Sequence, residues 1–133
     1  MSQNHNIRYV DNAALQNSGT AYMGIIVDAQ KVLASWKGSL FSFEWLTPEG
    51  HIRSMEQLPP GEQDKRARVE EKIHQNQPIE KPVLGIGVMD NVEIGMGRAQ
   101  FLTLIAHGAT AIPVHIPKSN ESDFKEFLSK VSS

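Results

Sequence analysis

The segment from residue 77 to residue 117 constrains the fold most, because strand and helix patterns alternate in it over short distances. Short β-branched runs indicate strands, and an apolar stripe at helical spacing indicates a helix. In order, the segment predicts a strand at 83–89, a turn at Asp90-Asn91, a strand at 92–94, a glycine turn at Gly95-Met96-Gly97, a helix at 98–107 that Gly108 ends, and a strand at 111–116. This order predicts an α+β fold.

The rest of the chain adds further elements to the same sheet. From the N-terminal side they are a strand at 23–27, a short helix capped by Asp28 and ended by a left-handed Gly38, a strand at 41–45, a turn at 47–50 with a returning strand at 51–55, a charged helix at 62–75, and a final helix after Asn120 that carries Phe124, Phe127, Leu128 and Val131. We therefore expect a small mixed β-sheet of five or six strands with three or four helices packed on it.

The chain is expected to hold one domain after a polar tail. Residues 1–20 are rich in Asn, Gln and Ser and show no sustained hydrophobic period, which predicts a flexible N-terminal tail with at most a short strand at 7–10. Residues 21–133 form the predicted single domain. The alternating aromatic residues near position 40, together with Trp36, are expected to lie in the core rather than to form a platform for nucleic-acid bases. These aromatic residues are Trp36, Phe41, Phe43 and Trp45.

Composition excludes several classes of function. The formal net charge of −2 provides no overall attraction to nucleic acid, so phosphate binding would require a local basic patch. The chain has no cysteine, which excludes disulfides, thiolate catalysis and cysteine-ligated metals. No apolar run approaches the ~18–20 residues of a membrane-spanning helix, and the polar N-terminus resembles no signal peptide. We therefore expect a cytoplasmic protein without a membrane partner.

The glycine turn before the predicted helix is the candidate ligand site. A helix N-terminus presents unpaired N–H groups and the positive end of the helix dipole, so it attracts anions. Gly95 and Gly97 would let the backbone approach a phosphate closely, and Arg98 could add a bidentate contact. The alternative interpretation is that the two glycines only form the turn. With the hairpin at Asp90-Asn91, this region should form the rim of a shallow cleft.

Five short motifs in this segment carry a resemblance to a known family. They are Pro78-Ile79-Glu80-Lys81-Pro82, Asp90-Asn91, Gly97-Arg98-Ala99-Gln100-Phe101, His107-Gly108 and Ile112-Pro113-Val114. The segment resembles the core of ParB-like nuclease domains and of the sulfiredoxin fold that they share. In that family a P-I-x-x-P strand precedes a D-G hairpin, and a box often written G-R-H-R opens the helix.

The family box fits this sequence in two registers. With the box on Gly97, which keeps a normal helix length before Gly108, the family histidine falls on Ala99 and its second arginine on Gln100. With the box on Gly95, the spacing G-x-x-R is satisfied by Arg98. Arg98 is the candidate catalytic residue in both registers. The sulfiredoxin reaction is excluded because it requires a cysteine.

Three functions follow from these observations. The first is a non-catalytic domain that binds a nucleotide, a nucleic-acid backbone or a protein partner, with a role in plasmid or mobile-element maintenance or transfer that the resemblance implies. The second is a metal-dependent nuclease or nucleotide hydrolase, in which Arg98 acts with a divalent ion placed by Asp90 or Glu93. The third is a protein-interaction module that uses the charged helix at 62–75.

Two groups of side chains have a structural and a functional interpretation. Lys65, Arg66 and Arg68 on the charged helix are either a solvated face or contacts to a phosphate backbone. The histidines at 5, 51, 74, 107 and 115 show no metal-ligand spacing. His107 is expected to meet the helix dipole beside the C-cap, and His115 to lie on the exposed face of its strand.

Overall fold

Six strands and three α-helices form the fold over residues 7–130, the part of the chain that the computed structural model describes. The strands are β1 (Tyr9–Val10), β2 (Tyr22–Asp28), β3 (Ile79–Glu80), β4 (Val83–Ile86), β5 (Val92–Met96) and β6 (Ala111–Pro117). The helices are α1 (Ala29–Trp36), α2 (Pro60–His74) and α3 (Arg98–Ala106). Three short 3-10 helices lie in the connections, and two more follow β6. The predicted α+β class with a small mixed sheet is confirmed. The mixed sheet has four strands instead of the expected five or six, because β1 and β3 pair in a separate two-stranded sheet.

The main sheet has the strand order β2-β6-β4-β5. β6 runs antiparallel to β2 and parallel to β4, while β4 and β5 form an antiparallel hairpin. Along β6, the buried Ile112, Val114 and Ile116 alternate with partly exposed residues, which is the pattern of a strand with one buried face. α3 connects β5 to β6 and therefore carries the chain back across the sheet.

The three helices differ in how much of their surface the core covers. Asp28 caps α1 by accepting hydrogen bonds from the backbone N–H groups of Gln30 (3.0 Å) and Lys31 (3.1 Å), as predicted. α2 buries only Val69 and Ile73, so it lies mostly in solvent. α3 is nearly all buried, and its buried residues are Ala99, Phe101, Leu102, Thr103, Leu104 and Ile105.

Of four predicted turns, those at Gly108 and Gly50 are present, the one at Asp90-Asn91 is present in part, and the left-handed cap at Gly38 is not. Gly108 follows α3 with a φ of 95°, and Gly50 closes its turn by donating from its N–H to the carbonyl of Thr47 (2.8 Å). Gly38, by contrast, is not among the residues with positive φ, so the predicted left-handed C-cap of α1 is wrong. Only Asp90 of the Asp90-Asn91 pair has a positive φ (62°).

The predicted strand at 41–45 is wrong, because Ser42–Glu44 forms a 3-10 helix. The hydroxyl of Ser42 donates to the carbonyls of Lys37 and Ser39, and the Ser39 hydroxyl accepts from the N–H of Phe41. Such local side-chain-to-backbone bonds compete with sheet pairing. As a result Trp45 is buried, but Phe41 and Phe43 are 55% and 66% exposed, against the expectation of a core position.

The predicted hairpin after this segment forms only in part. A single antiparallel bridge joins Leu46 to Ile52, and the returning strand at 51–55 does not form. The turn between them is present, since the N–H of Thr47 donates to the carbonyl of His51 (2.8 Å). The chain then continues into a 3-10 helix at Met55–Gln57.

Residues 7–20 differ from the expected flexible tail. β1 pairs in parallel with β3, close to the short strand expected at 7–10. Asn12 is buried, and its side chain donates to the carbonyl of Lys81 (3.1 Å). Its backbone N–H donates to Nε2 of His115 (3.2 Å), so this segment is tied to β6. These bonds explain the difference, because polar residues can order a segment without a hydrophobic period. Residues 1–6 of the predicted tail lie outside the described residues.

The predicted final helix is wrong over the residues described. Lys118–Asn120 and Ser122–Phe127 are 3-10 helices instead. The side chain of Asn120 donates to the carboxylate of Asp123 (3.1 Å) and not to the backbone, so it caps no α-helix. Phe124 is nonetheless buried, and Leu128 pairs with Val27 beside the sheet edge. Val131 lies outside the described residues.

None of the helices within residues 7–130 combines the length and the apolar character that crossing a membrane would require.

Candidate functional site

A cleft of about 500 Å³ opens between α2 and the start of α3. One wall is the exposed side of α2, and the other is the end of β5 with the first turn of α3, while β3 contributes two residues. The lining residues are Glu62, Lys65, Arg68, Val69 and Lys72 from α2, Ile79 and Glu80 from β3, and Ile94, Gly95, Met96, Gly97, Arg98, Ala99 and Gln100. The cleft therefore contains five of the predicted site residues: Gly95, Gly97, Arg98, Ala99 and Gln100.

Gly97 forms the bend that starts α3. It is the N-cap residue with a left-handed φ of 78°, and no side chain caps the helix. The first helical hydrogen bond runs from the N–H of Phe101 to the carbonyl of Gly97 (2.9 Å). The N–H groups of residues 98–100 precede this bond, so they are the unpaired amides of the helix N-terminus. They lie on residues that line the cleft, as the anion-site prediction requires.

The two glycines of the turn are not equivalent. A Cβ atom on Gly97 would lie 3.1 Å from Cα of Pro82 and 3.1 Å from the side-chain nitrogen of Gln100. A Cβ atom on Gly95 would lie 3.5 Å from the carbonyl oxygen of Val83, which is an ordinary contact. Gly97 is therefore the glycine that the bend requires, whereas Gly95 is a residue of β5.

Arg98 lines the cleft but is already engaged. Its Nη1 lies 3.7 Å from Oε1 of Glu44. Its Cζ lies 5.5 Å from the ring centroid of Phe41 and 5.8 Å from that of Trp36, within cation–π range. The side chain is 28% exposed, and its Nε is buried without a hydrogen-bond partner among residues 7–130. Arg98 thus links the cleft to the loop that follows α1, where Phe41 and Glu44 lie.

A row of cations on α2 faces the start of α3 across the cleft. Lys65, Arg68 and Lys72 lie three and four residues apart, which places them on one side of a helix. Lys65 contacts Oε2 of Glu62 (3.3 Å), whereas the side chains of Arg68 and Lys72 have no hydrogen bond or ion pair to another of residues 7–130. With Arg98, the cleft holds four cations against the two carboxylates of Glu62 and Glu80, a net charge of +2.

The structure places the three cations of the charged helix in different surroundings. Of the three cations proposed as phosphate contacts, Lys65 and Arg68 line the cleft, but Arg66 does not. Arg66 donates instead to Oε2 of Glu70 (3.1 Å) and to the carbonyl of Arg53 (3.1 Å). Lys72 was missed, although its spacing of four residues from Arg68 is a signal that could have identified it.

Glu62 is a carboxylate held in place at the mouth of the site. Its burial acts to raise its pKa, but hydrogen bonds from the Trp45 indole and from Lys65 outweigh that effect, and its pKa lies below the ordinary value. The indole Nε1 of Trp45 donates to Oε1 of Glu62 (2.8 Å). Glu62 therefore remains ionised near neutral pH and orients Lys65.

Asp90 and Glu93 do not join the predicted site. Glu93 accepts hydrogen bonds from the hydroxyl of Ser39 (2.8 Å) and the side chain of Asn91 (3.0 Å), so it fastens the hairpin to the loop after α1. Asp90 lines a different cavity, between the hairpin turn and the C-terminal segment. Residues 7–130 contain no cluster of three or more His, Asp or Glu side chains that could hold a metal ion. The side chains proposed to place a divalent ion are therefore not assembled around Arg98.

The two histidines singled out from the sequence both have structural partners. His107 is the C-cap residue of α3, as predicted, and its Nε2 contacts Oε1 of Glu70 on α2. His115 was expected on an exposed strand face, but its side chain is only 11% exposed. The N-terminal segment covers it, which the pattern of β6 alone could not indicate.

Three features define the cleft. They are the start of α3, which no side chain caps, the bend at Gly97, which requires glycine, and the row of cations on α2 opposite them. These features are compatible with an anionic ligand and they place no metal-binding cluster beside it. No protein-family model, no curated protein and no solved structure matches this chain.

Proposed function

We propose that this chain is a non-catalytic binding domain, which holds the phosphate groups of a nucleotide or of a nucleic-acid strand in the cleft between α2 and α3. The observation that carries the proposal is the facing arrangement of Lys65, Arg68 and Lys72 on one wall and the unpaired amides of α3 on the other. Helix N-termini and basic side chains are the two groups that proteins most often direct at phosphate oxygens.

The charge of the cleft favours an anionic ligand, although the net charge of the whole protein is negative. The formal net charge of the protein is −2, but the cleft lining carries a net charge of +2. Arg68 and Lys72 have no carboxylate partner within residues 7–130, so their charges are available to a ligand. Attraction between charges a few ångströms apart is weakly screened by salt, since the Debye length is about 8 Å at physiological ionic strength.

Binding without catalysis is favoured by the side chains at the start of α3. In the register on Gly97, a methyl group at Ala99 and an uncharged amide at Gln100 stand at the positions where ParB-like nuclease domains carry histidine and arginine. Arg98, the remaining candidate for catalysis, lies beside Glu44 and two aromatic rings. The proposal extends the resemblance to a ParB/sulfiredoxin-like domain with a role in plasmid or mobile-element maintenance or transfer.

Charge reversal on α2 tests this proposal. We expect Arg68→Glu and Lys72→Glu each to weaken the binding of ATP or of a short DNA strand by about tenfold, the effect of losing one charge-assisted contact. In the unmodified protein, titration with either ligand should move the amide NMR signals of Arg98, Ala99 and Gln100. Comparing the affinities for ATP and for the DNA strand shows whether the cleft prefers the phosphates of a nucleotide or those of a nucleic acid.

Lys31→Glu is the matched control, because it changes the net charge equally at an exposed lysine that does not line the cleft. If Lys31→Glu weakened binding as much as Arg68→Glu, general charge rather than the cleft would explain the affinity. If the amide signals of residues 98–100 did not respond to either ligand, the proposed site would be wrong. Hydrolysis of ATP or cleavage of DNA that Arg98→Ala abolishes would favour the enzyme alternative.

A further inference from the structure

The loop between α1 and Trp45 exposes three large apolar side chains that lie close together in the sequence. Leu40, Phe41 and Phe43 are 78%, 55% and 66% exposed. Phenylalanine is among the residues most often buried, so two exposed phenylalanines separated by one residue are informative. The sequence pattern predicted a strand with these rings in the core, and the 3-10 helix turns them outward instead.

Phe41 adjoins the cleft described above, and Phe43 follows it two residues later in the same loop. The ring centroid of Phe41 lies 5.5 Å from Cζ of Arg98, which lines the cleft. Two further contacts join the loop to the cleft: Glu44 lies 3.7 Å from Arg98, and Trp45 donates to Glu62. The ring of Phe41 and the basic side chain of Arg98 are therefore parts of one surface, and Phe43 extends the exposed apolar part of the same loop.

The loop is also held firmly in this conformation. Ser39 donates to Glu93 on β5 (2.8 Å), and Ser42 donates to two backbone carbonyls within the loop. Arg53 donates from Nε to the carbonyl of Phe43 (3.1 Å). A surface fixed before binding loses little conformational entropy when a ligand docks on it.

We infer that Phe41 and Phe43 form a stacking subsite for the unpaired bases of a single-stranded nucleic acid whose phosphates bind in the cleft. This inference rests on the proposed function. A basic groove with adjoining aromatic side chains is the arrangement by which proteins bind single strands with little sequence preference. Base and phosphate are separated by one sugar, so a strand with a phosphate near Arg98 can bring a base to Phe41. In a duplex the bases already stack on one another and do not present free faces.

A matched pair of strands tests the inference: a short oligothymidylate, and an abasic strand of the same length and phosphate count. We expect the unmodified protein to bind the oligothymidylate more tightly, by about 5- to 150-fold for each stacked base. The double variant Phe41→Leu/Phe43→Leu should bind both strands equally, with the affinity that the unmodified protein has for the abasic strand. Leu40→Ala removes a neighbouring exposed side chain that is not aromatic, and it should leave the preference unchanged.

Equal affinity of the unmodified protein for the two strands would overturn the stacking subsite and leave the phosphate cleft standing. A preference that survives in the double variant would also overturn it, because the bases would then bind elsewhere. Loss of the preference in Leu40→Ala would indicate a general apolar contact and overturn it as well.

Failure of the proposed function has a different signature: the abasic strand does not bind, or its binding is insensitive to Arg68→Glu. Thermal unfolding monitors folding of the variants. If the double variant is unfolded, Phe41→Leu alone replaces it, because Phe41 is the ring beside Arg98, and it should reduce the preference for the oligothymidylate.

Discussion

At the scale of single residues, the glycine turn contains one position where a side chain would be strained and one where it would not. Gly97 has a left-handed φ of 78°, and a Cβ atom there would approach Pro82 and Gln100 to 3.1 Å. Gly95 has neither constraint. Because Gly97 also starts α3, the bend that orients the unpaired amides is also the position where substitution should cost stability.

We expect Gly97→Ala to lower the free energy of unfolding by about 1–3 kcal/mol, the cost of a strained backbone conformation together with a close contact. Gly95→Ala should change it by less than about 1 kcal/mol. Denaturant unfolding of the two variants measures the difference. Equal effects of the two substitutions would contradict the assignment of the bend to Gly97.

At the scale of elements, the N-terminal segment docks on the sheet through His115. The N–H of Asn12 donates to Nε2 of His115, which accepts only while the imidazole is neutral. Burial lowers the pKa of His115 below its ordinary value of 6.5, the neighbouring Lys81 lowers it further, and Asp11 acts in the opposite direction. The unfolded chain therefore binds a proton at the His115 imidazole more readily than the folded chain does. The free energy of unfolding should increase as the pH rises from the lowered pKa of His115 to 6.5.

The expected result is a loss of stability as the pH falls from 6.5 through the lowered pKa of His115, with the full contribution present above pH 6.5. In His115→Gln, whose side chain does not titrate, the unfolding free energy should depend less on pH between 7.5 and 5.5. The exposed His74 provides the control variant His74→Gln, which should keep the pH dependence of the unmodified protein. An unchanged pH dependence in His115→Gln would contradict the role given to His115.

Elements with strong local signals were predictable from the sequence, and those decided by long-range contacts were not. α1 was predictable because Asp28 is a good cap, and β6 because its apolar residues alternate. The 41–45 strand failed because Ser39 and Ser42 bond to the local backbone, a competing effect that alternation does not reveal. In the site, residues 95–100 were predictable from the glycine turn. The opposing row of cations was predicted only in part. The spacing from Arg68 could have identified Lys72, but the bond from Arg66 to the carbonyl of Arg53 is a tertiary contact that spacing does not reveal.

At the scale of the whole molecule, charge is distributed unevenly. The chain is formally negative, yet the cleft carries a net charge of +2 and lies beside an exposed aromatic loop. Long-range attraction to a polyanion is therefore weak, and binding depends on the few cations within reach of the ligand. This makes the salt dependence of binding a measure of how many of them take part.

For a single strand contacted by Lys65, Arg68 and Lys72, the logarithm of the association constant should fall with the logarithm of salt concentration with a slope of about −2. Lys72→Ala should make the slope shallower by about 0.7, since one phosphate contact is lost. Lys31→Ala, outside the cleft, should leave it unchanged. Titrations at several salt concentrations give these slopes, and a slope near zero would contradict phosphate binding by the α2 cations.

The deep burial of α3 has a consequence for how ligand binding and folding are linked. The helix that presents the amides belongs to the hydrophobic core from Ala99 to Ile105, so its first turn cannot loosen without disturbing that core. The hydrogen-bonded part of this helix, from Phe101 onward, should then open only with global unfolding, and its amide hydrogens should exchange as slowly as any in the protein. A ligand that binds only the folded chain would stabilise it by a free energy fixed by the concentration and affinity of the ligand.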